Sequence, residues 1–245
     1  MNLSLINLVS SLKLIIAECP LSRINDARNN QIIASKYDAV LFDFDGVIAD
    51  SEIMHLATKK YALDTFNIPY DDDVLMSFQG RPEKVFFDFF AKKYDVSSEK
   101  LLKIKRDNYT QSLSLIMPIN GSVEFMKQCA QNKEVNIVTS SIRGDVEDFI
   151  LRNALSAFIR EIISSEDVIN HKPNPEPYIT LIQRNQLIDK RCLVIEDSPN
   201  GIVSAKAAGC DVVGLIGQFS EHDLLKAGAD FIVSSFRDLH AKIIW

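Results

Sequence analysis

Ala39-Val40-Leu41-Phe42-Asp43-Phe44-Asp45-Gly46-Val47 decides the reading of this chain. Its first four residues form an uninterrupted apolar run, the pattern of a strand buried on both faces of a parallel sheet. Side chains alternate along such a strand, so Asp43 and Asp45 face one way while Phe44 points into the core. Gly46 then permits a tight turn with close backbone approach. Two carboxylates this close repel each other unless a cation lies between them or one holds a proton. Both conditions suit phosphoryl transfer, with one aspartate as nucleophile and the other as general acid and base. A solvated Asp-x-Asp-Gly turn fits the same four letters, so the pair alone leaves the two readings open.

The chain downstream repeats the strand-then-polar arrangement. Val135-Asn136-Ile137-Val138 reads as a strand that stops at Thr139-Ser140-Ser141, and Glu161-Ile162-Ile163 as a short strand before His171-Lys172-Pro173-Asn174-Pro175. Cys192-Leu193-Val194-Ile195 stops at Glu196-Asp197-Ser198-Pro199-Asn200-Gly201, and Val212-Val213-Gly214-Leu215 and Phe231-Ile232-Val233 follow. Helices fit between them at 122–132, 144–154, 176–183 and 221–227, and after Ser198. Ser198 is placed as an N-cap, Pro199 suits the first helical position, and Gly209 follows the end. This alternation predicts an α/β fold: a doubly wound, Rossmann-like parallel sheet with helices on both faces. The polar clusters gather at the C-terminal ends of strands, the edge where open sheets of this kind bind ligands. Taken singly, Thr139 to Ser141 fits a helix cap, Lys172 a surface lysine and Glu196-Asp197 a loop; their common edge favours a site.

After the first strand the alternation breaks, and residues 67–117 contain no convincing buried strand. Ser51 is placed to cap a helix running to about Phe66, with Ile53, Leu56, Ala57, Tyr61 and Ala62 on one face. His55 lies in its first turns, where a lone histidine is more often packing or surface than function. Asp71-Asp72-Asp73 reads as a solvated helix start, Pro82 opens a helix carrying Phe86, Phe87, Phe89 and Phe90, and Ser98 caps another. An all-helical block of this size is large enough to be a separate lid. The domain expectation is an extension over 1–35, a core of 36–52 and 119–245, and a cap of 53–118.

Composition narrows the function classes. The 245 residues are 47% apolar and 24% charged with net charge −6, ordinary for a soluble globular protein. No Lys/Arg block supplies a basic footprint, which argues against a nucleic-acid partner. Cys19, Cys129, Cys192 and Cys210 show no CxxC spacing and read as reduced thiols of a cytoplasmic protein. Leu3 to Ala17 is apolar but too short to span a bilayer, has no basic n-region and is interrupted by Lys13; it reads as a helix packed on the domain or an extension, not as a signal or membrane segment. Ser22 to Lys36 reads as a polar linker.

With these motifs in place the chain resembles the haloacid dehalogenase-like phosphohydrolases, in the branch of beta-phosphoglucomutase and the sugar-phosphate phosphatases. Four stretches carry the resemblance: Asp43-Phe44-Asp45-Gly46-Val47, Val138-Thr139-Ser140, Lys172-Pro173-x-Pro175 and Ile195-Glu196-Asp197-Ser198-x-x-Gly201. The resemblance implies that Asp43 attacks phosphorus and that Asp45 serves as acid and then base. It implies Mg²⁺ on Asp43, the Asp45 carbonyl and Asp197, with Glu196 as ligand or neighbour, and phosphoryl oxygens held by Thr139, Ser140 and Lys172. In the cap, His55, Gly80 and Lys105 match mutase positions. Glu83, however, stands where the mutase has an arginine gripping a second phosphate, Arg81 is displaced beside it, and Ile142 replaces a lysine.

The expectation is a Mg²⁺-dependent phosphatase of a small phosphorylated metabolite, cytoplasmic and monomeric. A phosphomutase is the alternative, and a non-catalytic binding protein on the same fold the second. Dehalogenases and phosphonate hydrolases normally lack the second aspartate, so Asp45 argues against both.

Overall fold

The computed structural model describes residues 31–78 and 83–245. Six strands form one parallel sheet: β2 (Ala39–Phe42), β3 (Glu134–Val138), β4 (Glu161–Ile163), β5 (Cys192–Glu196), β6 (Asp211–Leu215) and β7 (Phe231–Val233). Their order is β4-β3-β2-β5-β6-β7. All four residues of β2 are buried, as a central strand covered on both faces requires. Phe42 is in register with Ile137 on one side and Ile195 on the other, so the residues just beyond β2, β3 and β5 emerge together at one edge.

Two apolar clusters cover the sheet faces. One contains Val40, Phe42, Phe44, Ile137, Phe149 and Ile195; the other contains Ala39, Leu41, Val138, Tyr178, Val194 and Ile202. The period-two division of β2 between them is the alternation read from its sequence. The Phe44 ring, 2% exposed, meets Phe149 edge to face at 5.1 Å between centroids.

A short parallel pair, β1 (Ile32–Ile33) with β8 (Ile243–Ile244), lies outside the main sheet. Ile32 is fully buried in the first cluster. The end of the expected polar linker is therefore structured, because two consecutive isoleucines find two more near the C-terminus. Most of the extension, residues 1–30, lies outside the described residues.

Among the described residues, the cap between β2 and β3 holds the helices α1 (Glu52–Thr65), α2 (Asp72–Met76), α3 (Glu83–Tyr94) and α4 (Ser98–Ser112). Ala62, Leu63, Phe86, Phe87, Phe90 and Leu101 give this cap a core of its own. The end of α4 and the residues after it belong elsewhere, since Tyr109, Leu113 and Ile116 pack into the main cluster. Ser97, not Ser98, caps α4, accepting from Lys100 N at 3.3 Å, while Ser98 donates to Asp88 at 2.6 Å.

The expected inner face of α1 is also different. Thr58, Ala62 and Leu63 are its buried residues, whereas Ile53, Leu56 and Tyr61 are exposed. Ile53 and Leu56 face the cleft between cap and sheet, so part of this apolar stripe lines a cavity. Returning to the sheet, α5 (Ser122–Cys129), α6 (Arg143–Arg152), α7 (Glu176–Arg184), α8 (Pro199–Ala207), α9 (Glu221–Ala227) and α10 (Phe236–Lys242) complete the chain. None of the helices among the described residues is long and apolar enough to cross a membrane.

Candidate active site

Asp43 follows β2 directly, and its amide donates to Ile195 O of β5 at 3.0 Å. The turn after it is fastened by Gly46 N to Ala49 O and by Ile48 N and Ala49 N to Phe44 O, at 2.9–3.0 Å. Gly46 has φ +75°, a conformation side chains resist, and a Cβ there would lie 2.0 Å from Asp197 Oδ2. The glycine thus serves the turn and the approach of a second carboxylate at once. Gly201, in the first turn of α8, does the same for Glu196: a Cβ there would lie 1.5 Å from Oε1.

Lys172 is the cation at the centre of these acids. Its Nζ donates to Asp43 Oδ1 at 2.8 Å, Glu196 Oε1 at 2.8 Å and Val138 O at 2.9 Å, using all three protons. The ammonium also lies 5.1 Å from the Tyr178 ring centroid. Tyr178, fully buried, points its hydroxyl at Glu196 Oε1 at 3.5 Å. Burial works against charge on Lys172, but Asp43 and Glu196 outweigh it and hold its pKa well above the ordinary value. Burial raises the Asp43 carboxyl to about 7, with Lys172 pulling down and Glu196 and Asp45 pushing up.

Asp197 is pushed well above the ordinary range by burial first, then by Glu196 and Asp43. The carboxylates of Asp43, Glu196 and Asp197 offer oxygens all within 4.8 Å of one another, and Asp197 receives no hydrogen bond from the described residues. Three hard oxygen donors this close together, one of them without a hydrogen-bond donor among the described residues, fit Mg²⁺.

Asp45 turns toward the cap. It accepts from Ser51 Oγ at 2.5 Å and from Ser141 Oγ, and His55 Nε2 lies 3.4 Å away. Burial alone would raise its pKa, yet the hydrogen bonds from His55, Ser141 and Ser51 bring it to about 2. Ser51 therefore spends its hydroxyl on Asp45 and makes no side-chain cap on α1, contrary to the N-cap expectation. Ser51, Ser141 and Tyr178 are the site residues that sequence reasoning passed over. Ser141 had the clearest signal, standing next to a suspected phosphate residue.

Ser140 is exposed in the cleft. Thr139 is buried behind it, its Oγ1 accepting from Ser141 N at 2.9 Å, which leaves the hydroxyl proton free to donate. His55 is not a surface histidine: it stacks on Tyr109 at 4.4 Å and takes a hydrogen bond at Nδ1 from Lys105 Nζ at 3.0 Å. An ammonium has no lone pair to give, so Nδ1 must accept and Nε2 carries the proton toward Asp45. Lys105, 3% exposed, is paired with Glu83 Oε1 at 2.6 Å. Gly80 and Arg81 lie outside the described residues. The structure brings Asp43, Asp45, Lys172, Glu196, Asp197, Ser140, His55, Lys105 and Glu83 around one open cleft of about 1110 Å³, large enough for a metabolite-sized ligand.

Comparison with known proteins agrees with this construction. The sequence profile of the haloacid dehalogenase-like hydrolases matches residues 40–215. The chain is 30% identical over 182 residues to validoxylamine A 7'-phosphate phosphatase of Streptomyces hygroscopicus subsp. limoneus, covering 73% of this chain and 85% of that one. It is 25% identical over 202 residues to the phosphorylated carbohydrates phosphatase of Thermotoga maritima, covering 80% and 94%. It is also 26% identical over 216 residues to beta-phosphoglucomutase of Bacillus subtilis, covering 84% and 93%. Among solved structures, a hydrolase from Pseudomonas syringae superposes with a TM-score of 0.68 at 25% identity, over 83% of this chain and 96% of that one. With a profile match across most of its length and a relative 30% identical over most of both chains, the chain belongs to the haloacid dehalogenase-like hydrolases.

Proposed function

We propose that this protein is a Mg²⁺-dependent phosphatase of small phosphorylated metabolites, sugar phosphates above all, acting through an aspartyl-phosphate. One observation carries the reading: Lys172 Nζ lies 2.8 Å from both Asp43 and Glu196, with Asp197 in the same acidic group. A nucleophilic carboxylate, a fixed cation and a cluster of oxygen donors are the parts phosphoryl transfer needs, because its catalysis is mainly positioning and charge stabilisation.

In this reading Asp43 attacks phosphorus, the bond from phosphorus to the leaving oxygen breaks, and Asp45 gives that oxygen a proton. Water then attacks the same phosphorus, Asp45 takes its proton, and the bond to Asp43 breaks to release phosphate. Asp43, Glu196, Asp197 and the Asp45 carbonyl would hold Mg²⁺, which supplies positive charge against the acids and the transferring phosphoryl group. Ser140 N and the Thr139 hydroxyl would hold phosphoryl oxygens, joined by Lys172 once it gives up one of its three present bonds. A pKa of about 2 keeps Asp45 ionised, the form that can take a proton, but leaves it a weak base in this arrangement. Acting as an acid requires it to leave His55 and the two serine hydroxyls for the anionic phosphoryl group, where like charge raises its pKa.

The test is phosphate release, with and without Mg²⁺, over sugar phosphates, phosphoglycolate, nucleotides and phosphorylated cofactors. Release from none of them would overturn the reading. A phosphomutase is the second reading, favoured by the His55–Lys105–Tyr109 cluster and the beta-phosphoglucomutase relative. The Lys105–Glu83 pair argues against it, since Glu83 supplies negative charge where a second phosphate would need a cation.

A further inference from the structure

Lys59 is placed one helical turn beyond His55 on α1. Residues four apart share a helix face, about 6 Å apart along it. His55 touches Asp45, so Lys59 extends the same face away from the reaction centre and into the cap. Both line the cleft. The Lys59 ammonium lies 5.4 Å from the Phe86 ring centroid, with Leu56 and Leu102 also lining the cleft.

What distinguishes Lys59 from its neighbours is what it lacks. Lys105 is matched by Glu83 at 2.6 Å, Lys60 by Asp72 at 2.7 Å and Lys84 by Asp88 at 2.8 Å. Lys59 has no ion pair and no hydrogen bond among the described residues. Burial is the main influence lowering its pKa, and Glu83 offsets only part of it. A half-buried ammonium against an aromatic face is short of acceptors, and a ligand oxygen is the group that would complete it. Glu52, two turns earlier on α1, also faces the cleft and offers an acceptor nearer the reaction centre.

We propose that Lys59 is a specificity-determining residue: it donates to an oxygen acceptor, hydroxyl or carboxylate, on the leaving group of the phosphate ester, while Leu56 and Leu102 contact the carbon skeleton. The proposal rests on the phosphatase reading and deepens it, because Lys59 acts beyond the scissile phosphate.

Steady-state phosphate release by wild type, Lys59→Met and Lys59→Arg in Mg²⁺ tests it on glucose 6-phosphate, 6-phosphogluconate and phenyl phosphate. The first offers hydroxyls, the second a carboxylate as well, and the third no acceptor beyond the ester. In Lys59→Met, kcat/KM should fall about tenfold further on the oxygen-rich esters than on phenyl phosphate, the size expected for losing a charged hydrogen bond. The loss should appear mainly in KM, as for binding shared by ground and transition states, and Lys59→Arg should recover part of it. A larger loss on 6-phosphogluconate identifies a carboxylate as the acceptor; equal losses on the two sugars identify a hydroxyl. Equal changes on all three esters, in variants whose melting temperatures match wild type, overturn the proposal. If Lys59→Met does not fold, Lys59→Gln takes its place under the same criterion. Failure of the wild type to release phosphate from any ester would instead overturn the phosphatase reading and this proposal with it.

Discussion

Glu83 Oε1 lies 2.6 Å from Lys105 Nζ, and the same ammonium is 3.0 Å from His55 Nδ1. A residue that by analogy would grip a second phosphate is instead an acid that occupies the nearest buried cation. Burial favours neutral Glu83, but Lys105 outweighs it and keeps the carboxyl below its usual range, so it is ionised at neutral pH. A phosphomutase must hold a second phosphate while its intermediate turns over, and must keep water away meanwhile. We predict net phosphate release, with little isomerisation of glucose 1-phosphate even when glucose 1,6-bisphosphate is added. A coupled glucose 6-phosphate assay beside a phosphate assay on one sample checks this. Isomerisation far outpacing hydrolysis would establish the mutase reading and make Lys105 and His55 the next residues to mutate.

Asp43→Asn keeps the volume of the side chain and can still accept from Lys172, so the sheet edge should survive. It removes the proposed nucleophile. Turnover should drop by about 10³-fold or more, with a melting temperature close to wild type. Near-normal turnover by a folded Asp43→Asn protein would rule out the covalent route.

Metal and pH are linked at this edge. Without metal, Asp43 titrates at about 7 and Asp197 is also raised. A carboxyl whose folded pKa is raised binds more protons folded than unfolded, so its contribution to stability falls as pH rises from about 4 to 7. Over the same range Asp45, lowered to about 2, is already ionised in both states and contributes a constant amount; that contribution is lost only below about pH 4. Mg²⁺ competes with the protons on Asp43 and Asp197. The rise in melting temperature on adding Mg²⁺ should therefore be small at pH 5 and larger at pH 8, and Asp197→Ala should reduce it. Melting curves in chelator and in Mg²⁺ across this range measure it. A Mg²⁺ effect independent of pH, or full activity in excess chelator, would count against the metal assignment.

Gly201→Ala adds one methyl group 1.5 Å from Glu196 Oε1. Glu196 is fully buried and bonded to Lys172, Ser198 N and Ser198 Oγ, so it cannot yield without displacing Lys172. A shift of about 1 Å in such a group costs on the order of 100-fold in rate. We expect that loss in kcat for Gly201→Ala. Gly144→Ala, where nothing lies within 4 Å of the added carbon, serves as the control. Equal activity of the two variants would show that Glu196 has freedom the packing denies it.

The parallel sheet and the polar edge where its strands end were readable from local sequence alone. Buried parallel strands announce themselves as apolar runs, and the acids, hydroxyls and lysine that end them were legible because strand ends converge on one crevice in this architecture. Helix punctuation was equally local: Ser198 caps α8 through Gly201 N at 3.1 Å, with Pro199 and Gly209 where their backbone preferences put them. Partner choice was not legible. Ser51 has the sequence of a helix cap but gives its hydroxyl to Asp45, because the turn at Gly46 swings that carboxylate within 2.5 Å. His55 looks like an ordinary helical histidine until α1, α4 and Asp45 are assembled around it. The outward apolar stripe of α1, the Glu83–Lys105 pair and a Lys59 without an ion pair among the described residues likewise depend on how separate helices pack. Periodicity and capping arise between residues a few positions apart, whereas an ion pair or a cleft wall is decided by residues that only the tertiary fold brings together.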